Sequence, residues 1–241
     1  EIAYTVAPPA VLNMLLQNEA LLSSTDLSRL RCLGSGSAPL APWMVKGWQD
    51  RYGVTVMNVF GSNEGASLFS TGEAIPDPEQ RARFFPRFGA TGVDWPAVFP
   101  AKIRTRLVDL ATETEIVEPG IEGELRIDGA MTFDGYWRAE ALTRAAFDAE
   151  GYFKTGDLFT IAPEAGGRFY QFVGRSKEII IRGGLNISPA ELDVLIESHP
   201  KVREACCAAY ADERLGERVC AVVALREGQT LTLEEVCDHL R

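Results

Sequence analysis

Between residues 9 and 22 the apolar positions Val11, Leu12, Leu15, Leu16 and Leu22 fall at helical spacing, and the run ends in Ser/Thr/Asp punctuation at 23–26. A short strand is expected around Leu30–Leu33. Pro42 then opens a second helix carrying Trp43, Met44, Val45 and Trp48, which closes near Gly53, and Val54–Phe60 reads as a buried strand. This cadence of helix and strand predicts a parallel α/β sheet. From 70 to 100 the periodicity dissolves into Pro, Gly and aromatic residues. Beyond it, Lys102–Val108 and Gly123–Ile127 alternate with period two, which predicts antiparallel strands. Arg138–Phe147 reads as a short helix, and Phe153–Ile161, Arg168–Val173 and Lys177–Ile181 as strands. Ser188, Pro189 and Glu191 carry the signature of a capped helix start, strands are expected near Glu204–Tyr210 and Val219–Leu225, and Thr232 with Glu235 forms a capping box for a last helix.

Composition narrows the function classes. With 46% hydrophobic and 24% charged residues, the 241-residue chain is rich enough to bury a core. Its net charge of -10, with 24 Lys+Arg against 34 Asp+Glu, provides no basic stripe to follow a nucleic-acid backbone, so no nucleic-acid partner is expected. No apolar run approaches the roughly 20 residues of a membrane helix, so no membrane span is expected. Five cysteines without a C-x-x-C pair argue for a reducing, cytoplasmic compartment, with the thiols expected as buried apolar groups. Two histidines, His199 and His239, supply a Ser-His-Asp or His-metal site poorly. Any chemistry must rest on carboxylates, Lys, Arg and backbone groups.

Three segments place such groups where a ligand could meet them. Gly34–Pro39 follows a strand and precedes a helix, a position where backbone N–H groups can face a ligand, although it fits neither G-x-G-x-x-G nor a P-loop and a plain turn is the alternative. Phe60-Gly61-Ser62-Asn63-Glu64-Gly65 ends a buried strand, which sets the Glu64 carboxylate at the carboxyl end of a sheet. There it could ligate a hard cation such as Mg²⁺ or lie in solvent as loop surface. In Lys154-Thr-Gly-Asp157 the glycine permits close backbone approach, and the carboxylate can accept two hydrogen bonds such as a ribose diol offers. Gly174-Arg175-Ser-Lys177 adds a forked donor and a point charge, or makes a salt-bridged turn.

Taken in order, Gly34–Pro39, Phe60–Glu64, Gly123–Gly129 with Gly135-Tyr136-Trp137, Lys154–Asp157, Gly174–Lys177, Gly183–Glu191 and His199–Val202 have the spacing of the adenylate-forming superfamily. The chain resembles the acyl-CoA synthetases of that family, AMP-dependent ligases that share a fold with peptide-synthetase adenylation domains and firefly luciferase. The resemblance implies ATP, Mg²⁺ and coenzyme A as cofactors and a small carboxylic acid as substrate. It implies that Gly36, Ser37, Ala38 and Pro39 lie against adenine and ribose, and that Asn58, Phe60, Gly61 and Ser62 form the opposite wall. Glu64 looks like the Mg²⁺ ligand, Asp157 the ribose-diol acceptor and Arg175 a ribose or phosphate donor. Lys177 matches the hinge of a mobile C-terminal domain, and Gly183 and Gly184 match a loop bordering the pantetheine tunnel. Val59, Gly65 and Ala66 are the acyl-pocket positions, and Gly135–Trp137 is read as structural.

By the same resemblance the fold is the end of a parallel α/β subdomain over 1–85, a distorted antiparallel β-barrel over 86–176 and a truncated α+β C-terminal domain over 177–241. Asn63 replaces the usual threonine of the aromatic-Gly-x-Thr-Glu segment. The family's upstream phosphate loop and its downstream lysine have no counterpart here, so the chain reads as a segment of a longer enzyme and is expected to be inactive alone. Two rival readings are an adenylation enzyme that loads a carrier-protein pantetheine and a non-catalytic nucleotide-binding remnant.

Overall fold

A computed structural model of the chain describes residues 2–65, 67–95 and 102–240. Two compact units result: residues up to 155 together with 159–172, and residues 156–158 together with those from 173 on.

The first unit begins with strand β1 (Tyr4–Val6), helices α1 (Pro9–Gln17) and α2 (Glu19–Ser23), strand β2 (Cys32–Gly36), helix α3 (Pro42–Tyr52) and strand β3 (Thr55–Gly61), followed by β4 (Ser67–Ser70). The sheet order is β1-β2-β3-β4; β1, β2 and β3 are parallel and β4 is antiparallel to β3. The helical run expected over 9–22 is two helices. Asn18 leaves helical geometry at φ −94° and ψ 75°, and its side chain caps α2 by accepting from the Leu21 N–H. Helix α3 runs as its punctuation dictates, with Pro42 in the first turn and Gly53 closing it in the left-handed region at φ 65°. Its Met44, Val45 and Trp48 are fully buried with Leu12, Leu16 and Val56, and each such side chain contributes about 1.5–3 kcal/mol by leaving water.

The stretch where periodicity fails holds order of a different kind. Helix α4 (Pro78–Arg83) and strand β5 (Phe84–Pro86) are short and are tied down by side chains. Fully buried Arg81 donates to the carbonyls of Val56 and Ile75, each at 2.8 Å, and also to Gln49. A buried guanidinium surrounded by acceptors in this way satisfies its donors without a carboxylate partner.

A second sheet contains β5, β6 (Ile103–Val108), β7 (Gly123–Gly129), β8 (Phe153–Ile161) and β9 (Phe169–Arg175) in the order β5-β9-β8-β7-β6, residues 156–158 of β8 and 173–175 of β9 being counted with the second unit. This is the antiparallel subdomain expected as a distorted barrel; among the described residues β5 and β6 are its edges. Helix α5 (Glu140–Ala146) lies between β7 and β8 in sequence. Leu107, Leu125, Ile127, Phe159 and Tyr170 form the buried center.

The second unit carries β10 (Ile180–Arg182), β11 (Leu185–Ile187), α6 (Pro189–Glu197), β12 (Val202–Asp212), β13 (Gly216–Leu225) and α7 (Leu233–His239), with sheet order β11-β10-β13-β12. Both halves of the capping box on α7 form. At α6, Ser188 Oγ accepts from the Glu191 N–H, and its own hydroxyl donates to the Val173 carbonyl. The thiols depart from expectation: Cys207 is buried and Cys32 half-buried, whereas Cys206, Cys220 and Cys237 are exposed. In the β12–β13 hairpin Cys206 lies opposite Val222, and Cys220 opposite Ala208, on the face turned away from the Cys207 core.

Candidate functional site

The glycine-rich segment after the first apolar strand is less of a loop than its composition predicts. Gly34, Ser35 and Gly36 belong to β2, with Gly36 in register with Val59 of β3. A Cβ on Gly36 would stand 1.9 Å from the Val59 carbonyl oxygen, so only glycine allows the two strand ends to approach this closely. The exposed turn starts at Ser37, a non-glycine residue at φ 68°, and continues through Ala38 and Pro39. Conformations of this kind cost about 1–3 kcal/mol and gather at binding loops.

Across from this turn, β3 ends on the residues expected as an opposite wall. Asn58 is buried, its amide donating to the Ala82 carbonyl at 2.9 Å, which anchors β3 to α4. The half-buried Phe60 ring meets Phe159 edge-on at 5.1 Å and packs against the second sheet's core. Val59 is half-buried, Gly61 and Ser62 are exposed, and Ala66 lies outside the described residues.

Glu64 is gripped by a segment 67–72 residues away in sequence. The Tyr136 hydroxyl donates to Glu64 Oε1 at 3.1 Å, and the Phe133 N–H donates to the Glu64 carbonyl at 2.8 Å. Gly65 adopts φ 88°, and a Cβ there would lie 1.8 Å from the Met131 carbonyl oxygen. Burial pushes the Glu64 carboxyl up, but hydrogen bonds from its own backbone N–H, Ser62 and Tyr136 outweigh burial and hold it below the usual range. The group is an ionised, half-buried oxygen donor, which is the chemistry a Mg²⁺ ion accepts. Among the described residues no three His, Cys, Asp or Glu side chains gather to hold a metal by themselves. A cation here would need oxygens from a ligand as well as from Glu64. Gly65 and Met131 also line a cavity of about 250 Å³, together with Lys102, Gly129 and Thr132.

In the second unit the two carboxyl-terminal motifs meet. Asp157, on β8, is buried, and Arg175 at the end of β9 places Nε 3.2 Å from Asp157 Oδ1. Gly156 adopts φ 73°, and its carbonyl accepts from both the backbone N–H and the hydroxyl of Ser176, at 2.9 and 3.0 Å. Lys177 is exposed in the turn that follows, where the N–H groups of Glu178 and Ile179 both reach the Arg175 carbonyl. Gly183 and Gly184 are the two central residues of the β10–β11 hairpin, at φ 59° and 87° with Arg182 opposite Leu185, the geometry of a type I′ turn. No atom lies within 4 Å of a Cβ built on Gly184, so backbone conformation and not crowding explains this glycine.

Tyr136, expected to be structural with Gly135 and Trp137, places its phenol against Glu64. Its motif was visible as Gly135-Tyr136-Trp137, but nothing along the chain says that the phenol reaches Glu64. No helix among the described residues is long and apolar enough to cross a membrane.

The family model for AMP-binding enzymes matches residues 1–137, and the model for their C-terminal domain matches residues 191–241. The chain is 37% identical to a medium-chain fatty-acid–CoA ligase of Escherichia coli over 88% of its own length and 34% of that protein's, and 30% identical to an oxalate–CoA ligase of Arabidopsis thaliana over 95% and 41% respectively. It therefore spans about a third to two fifths of these relatives. Among solved structures it resembles ATP-bound MatB from Rhodopseudomonas palustris, with TM-score 0.80 and 28% identity over 100% of this chain and 44% of that one. An amide bond synthetase from Marinactinospora thermotolerans matches with TM-score 0.80 and 26% identity, covering 99% of this chain and 46% of that chain. The two family models together with the CoA-ligase relatives establish that the chain belongs to the AMP-binding enzyme family.

Proposed function

We propose that the full-length protein activates a carboxylic acid with ATP and transfers the acyl group to coenzyme A. The carrying observation is the buried Asp157 carboxylate with Arg175 beside it, a pairing of acceptor and cation suited to a ribose and its phosphate. The relatives support a CoA ligase, and medium-chain fatty acids are the first substrates to test. In the reaction a carboxylate oxygen attacks the α-phosphorus and pyrophosphate leaves. The deprotonated CoA thiol then attacks the acyl carbon, forming the thioester and releasing AMP.

Each group has a part in this scheme. The Ser37–Pro39 turn and the end of β3, from Asn58 to Ser62, border the base and ribose, and Glu64 is the residue that would hold Mg²⁺. A Mg²⁺ ion held there would supply positive charge to offset that of the leaving pyrophosphate. Asp157 accepts the ribose hydroxyls, and Arg175 donates to ribose or phosphate. Lys177 is the hinge at which the C-terminal unit reorients, dividing the chain at about 85 and 176 into two subdomains and a mobile domain. The Gly183-Gly184 turn borders the thiol's path, and Val59 and Gly65 border the acyl group. Catalysis on this scheme is positioning and charge stabilisation, with no side chain required as nucleophile.

The test is acid-dependent exchange of labelled pyrophosphate into ATP by the full-length protein. Exchange with a medium-chain acid that collapses in Asp157→Ala supports the reading. Exchange unchanged by that substitution overturns the role of Asp157.

A further inference from the structure

We propose that Tyr136 is a positioning residue for Glu64: its phenol, held in place by Thr143 and Phe133, fixes the carboxylate in the orientation in which it takes a divalent cation. The inference rests on the reading of Glu64 as the cation's protein ligand.

The contact is built from three sides. The Tyr136 N–H donates to Thr143 Oγ1 at 2.9 Å, and that hydroxyl donates in turn to the Ala139 carbonyl, so α5 holds the tyrosine backbone. Gly135 makes the approach possible. At φ 150°, a Cβ there would stand 2.5 Å from Thr143 Cγ2. The Tyr136 ring packs against Phe133 at 4.8 Å and 68°, and Phe133 in turn stacks on Phe147 and meets Phe153 edge-on. Phe133 also holds the Glu64 main chain, because its N–H binds the Glu64 carbonyl. One short segment thus fixes both the backbone and the carboxylate of Glu64.

Chemistry says why this matters. A glutamate has three rotatable side-chain bonds, and freezing them costs entropy that a cation must otherwise offset on binding. An ionised carboxylate offers about four acceptor directions, so a phenol on Oε1 leaves room for a cation and donates no competing charge. Partners that orient a metal ligand typically contribute about 10–100-fold in metal affinity. Tyr136 is 39% exposed, which places the expected effect at the lower end of that range.

The experiment uses the full-length protein with Mn²⁺ as probe in the presence of a non-hydrolysable ATP analogue, free Mn²⁺ being followed by electron paramagnetic resonance. Tyr136→Phe should weaken Mn²⁺ binding about tenfold. Analogue binding without metal and the melting temperature should match wild type. Thr143→Val should reproduce part of the loss, and Thr143→Ser, which keeps the hydroxyl, should restore it. Glu64→Gln separates the two levels: wild-type Mn²⁺ affinity in that variant removes the ligand role of Glu64 and the inference with it. Weak binding in Glu64→Gln with wild-type affinity in Tyr136→Phe overturns the positioning role alone. If Tyr136→Phe melts lower, the two Thr143 variants decide, and equal Mn²⁺ affinity in both counts against the proposal.

Discussion

Arg175 Nε lies 3.2 Å from Asp157 Oδ1, and the two side chains differ sharply in exposure: 64% for the arginine and 8% for the aspartate. The carboxylate is fixed inside the fold while the cation remains largely in water. An ion pair with one exposed partner stabilises a fold by less than about 1 kcal/mol. Arg175→Ala should therefore leave the melting temperature nearly unchanged and, on the proposed roles, weaken nucleotide binding about tenfold, whereas Asp157→Ala should cost about 2–4 kcal/mol of nucleotide binding if its carboxylate accepts the ribose hydroxyls as proposed. Calorimetric titration with ATP, alongside thermal melts, measures both. Equal losses of affinity and stability in Arg175→Ala would show a structural pair.

The Gly183-Gly184 turn predicts a ranked series. Both residues have positive φ, and space around Gly184 is open, so substitution there tests backbone conformation alone. Gly184→Ala should destabilise by about 1–2 kcal/mol, and Gly184→Asn by less, because asparagine tolerates the left-handed region. Urea unfolding of the three proteins checks the order; alanine and asparagine variants of equal stability would contradict it.

Elements ordered by their own neighbours in sequence are legible along the chain, and elements ordered by distant contacts are not. Helix α3 was legible because Pro42 and Gly53 mark its ends, and α7 because Thr232 and Glu235 satisfy each other locally. The alternation over Lys102–Val108 and Gly123–Ile127 predicted antiparallel strands, and β6 and β7 are found paired that way. By contrast, β4 and β5 take their order from distant partners, as when Ser70 Oγ donates to the Phe84 carbonyl, and α4, although Asp77 caps it locally by accepting from the Gln80 N–H, is too short to show a periodicity and is held by Arg81 reaching Val56. The same holds at the site. Asp157 and Arg175 were both singled out, and the structure brings them together; Tyr136 was seen only as part of a motif, because its use depends on a contact 72 residues away.

Asp148 carries a pH prediction. Its carboxylate accepts from Arg106 at 2.7 Å and Arg126 at 3.3 Å, and from the N–H groups of Glu150 and Tyr152. Burial pushes its carboxyl up, but Arg106 and the two N–H groups outweigh burial and hold it below the usual range. A depressed folded value means that the group stabilises fully above its unfolded value of about 3.9, and that this contribution is lost as pH falls through the folded value. Asp148→Ala should cost about 1–2 kcal/mol at pH 7, because half-buried Arg106 and buried Arg126 each lose one acceptor while keeping Glu150 and the Glu113/Glu124 pair respectively. The gap from wild type should narrow below about pH 4. Urea unfolding at pH 7 and at pH 3 measures it, and a gap independent of pH would remove the carboxylate from the explanation.

Thiol reactivity should divide by the two faces of the β12–β13 hairpin. Burial, reinforced by the Asp193 carboxylate, pushes the Cys207 thiol up to about 12, and burial also raises Cys32. At pH 8 Ellman's reagent should label exposed Cys206, Cys220 and Cys237 quickly and leave Cys207 and Cys32 until the protein unfolds. Fast labelling of Cys207, located by peptide mass mapping, would contradict the packing of this hairpin against α6.

The proposed chemistry is tested most directly by product analysis of the full-length protein incubated with a medium-chain fatty acid, Mg·ATP and coenzyme A. AMP, pyrophosphate and acyl-CoA should form in equal amounts, with all three reduced together in Asp157→Ala and Glu64→Gln. ADP and phosphate in place of AMP and pyrophosphate, or AMP formation without any thioester across the acids tested, would contradict it.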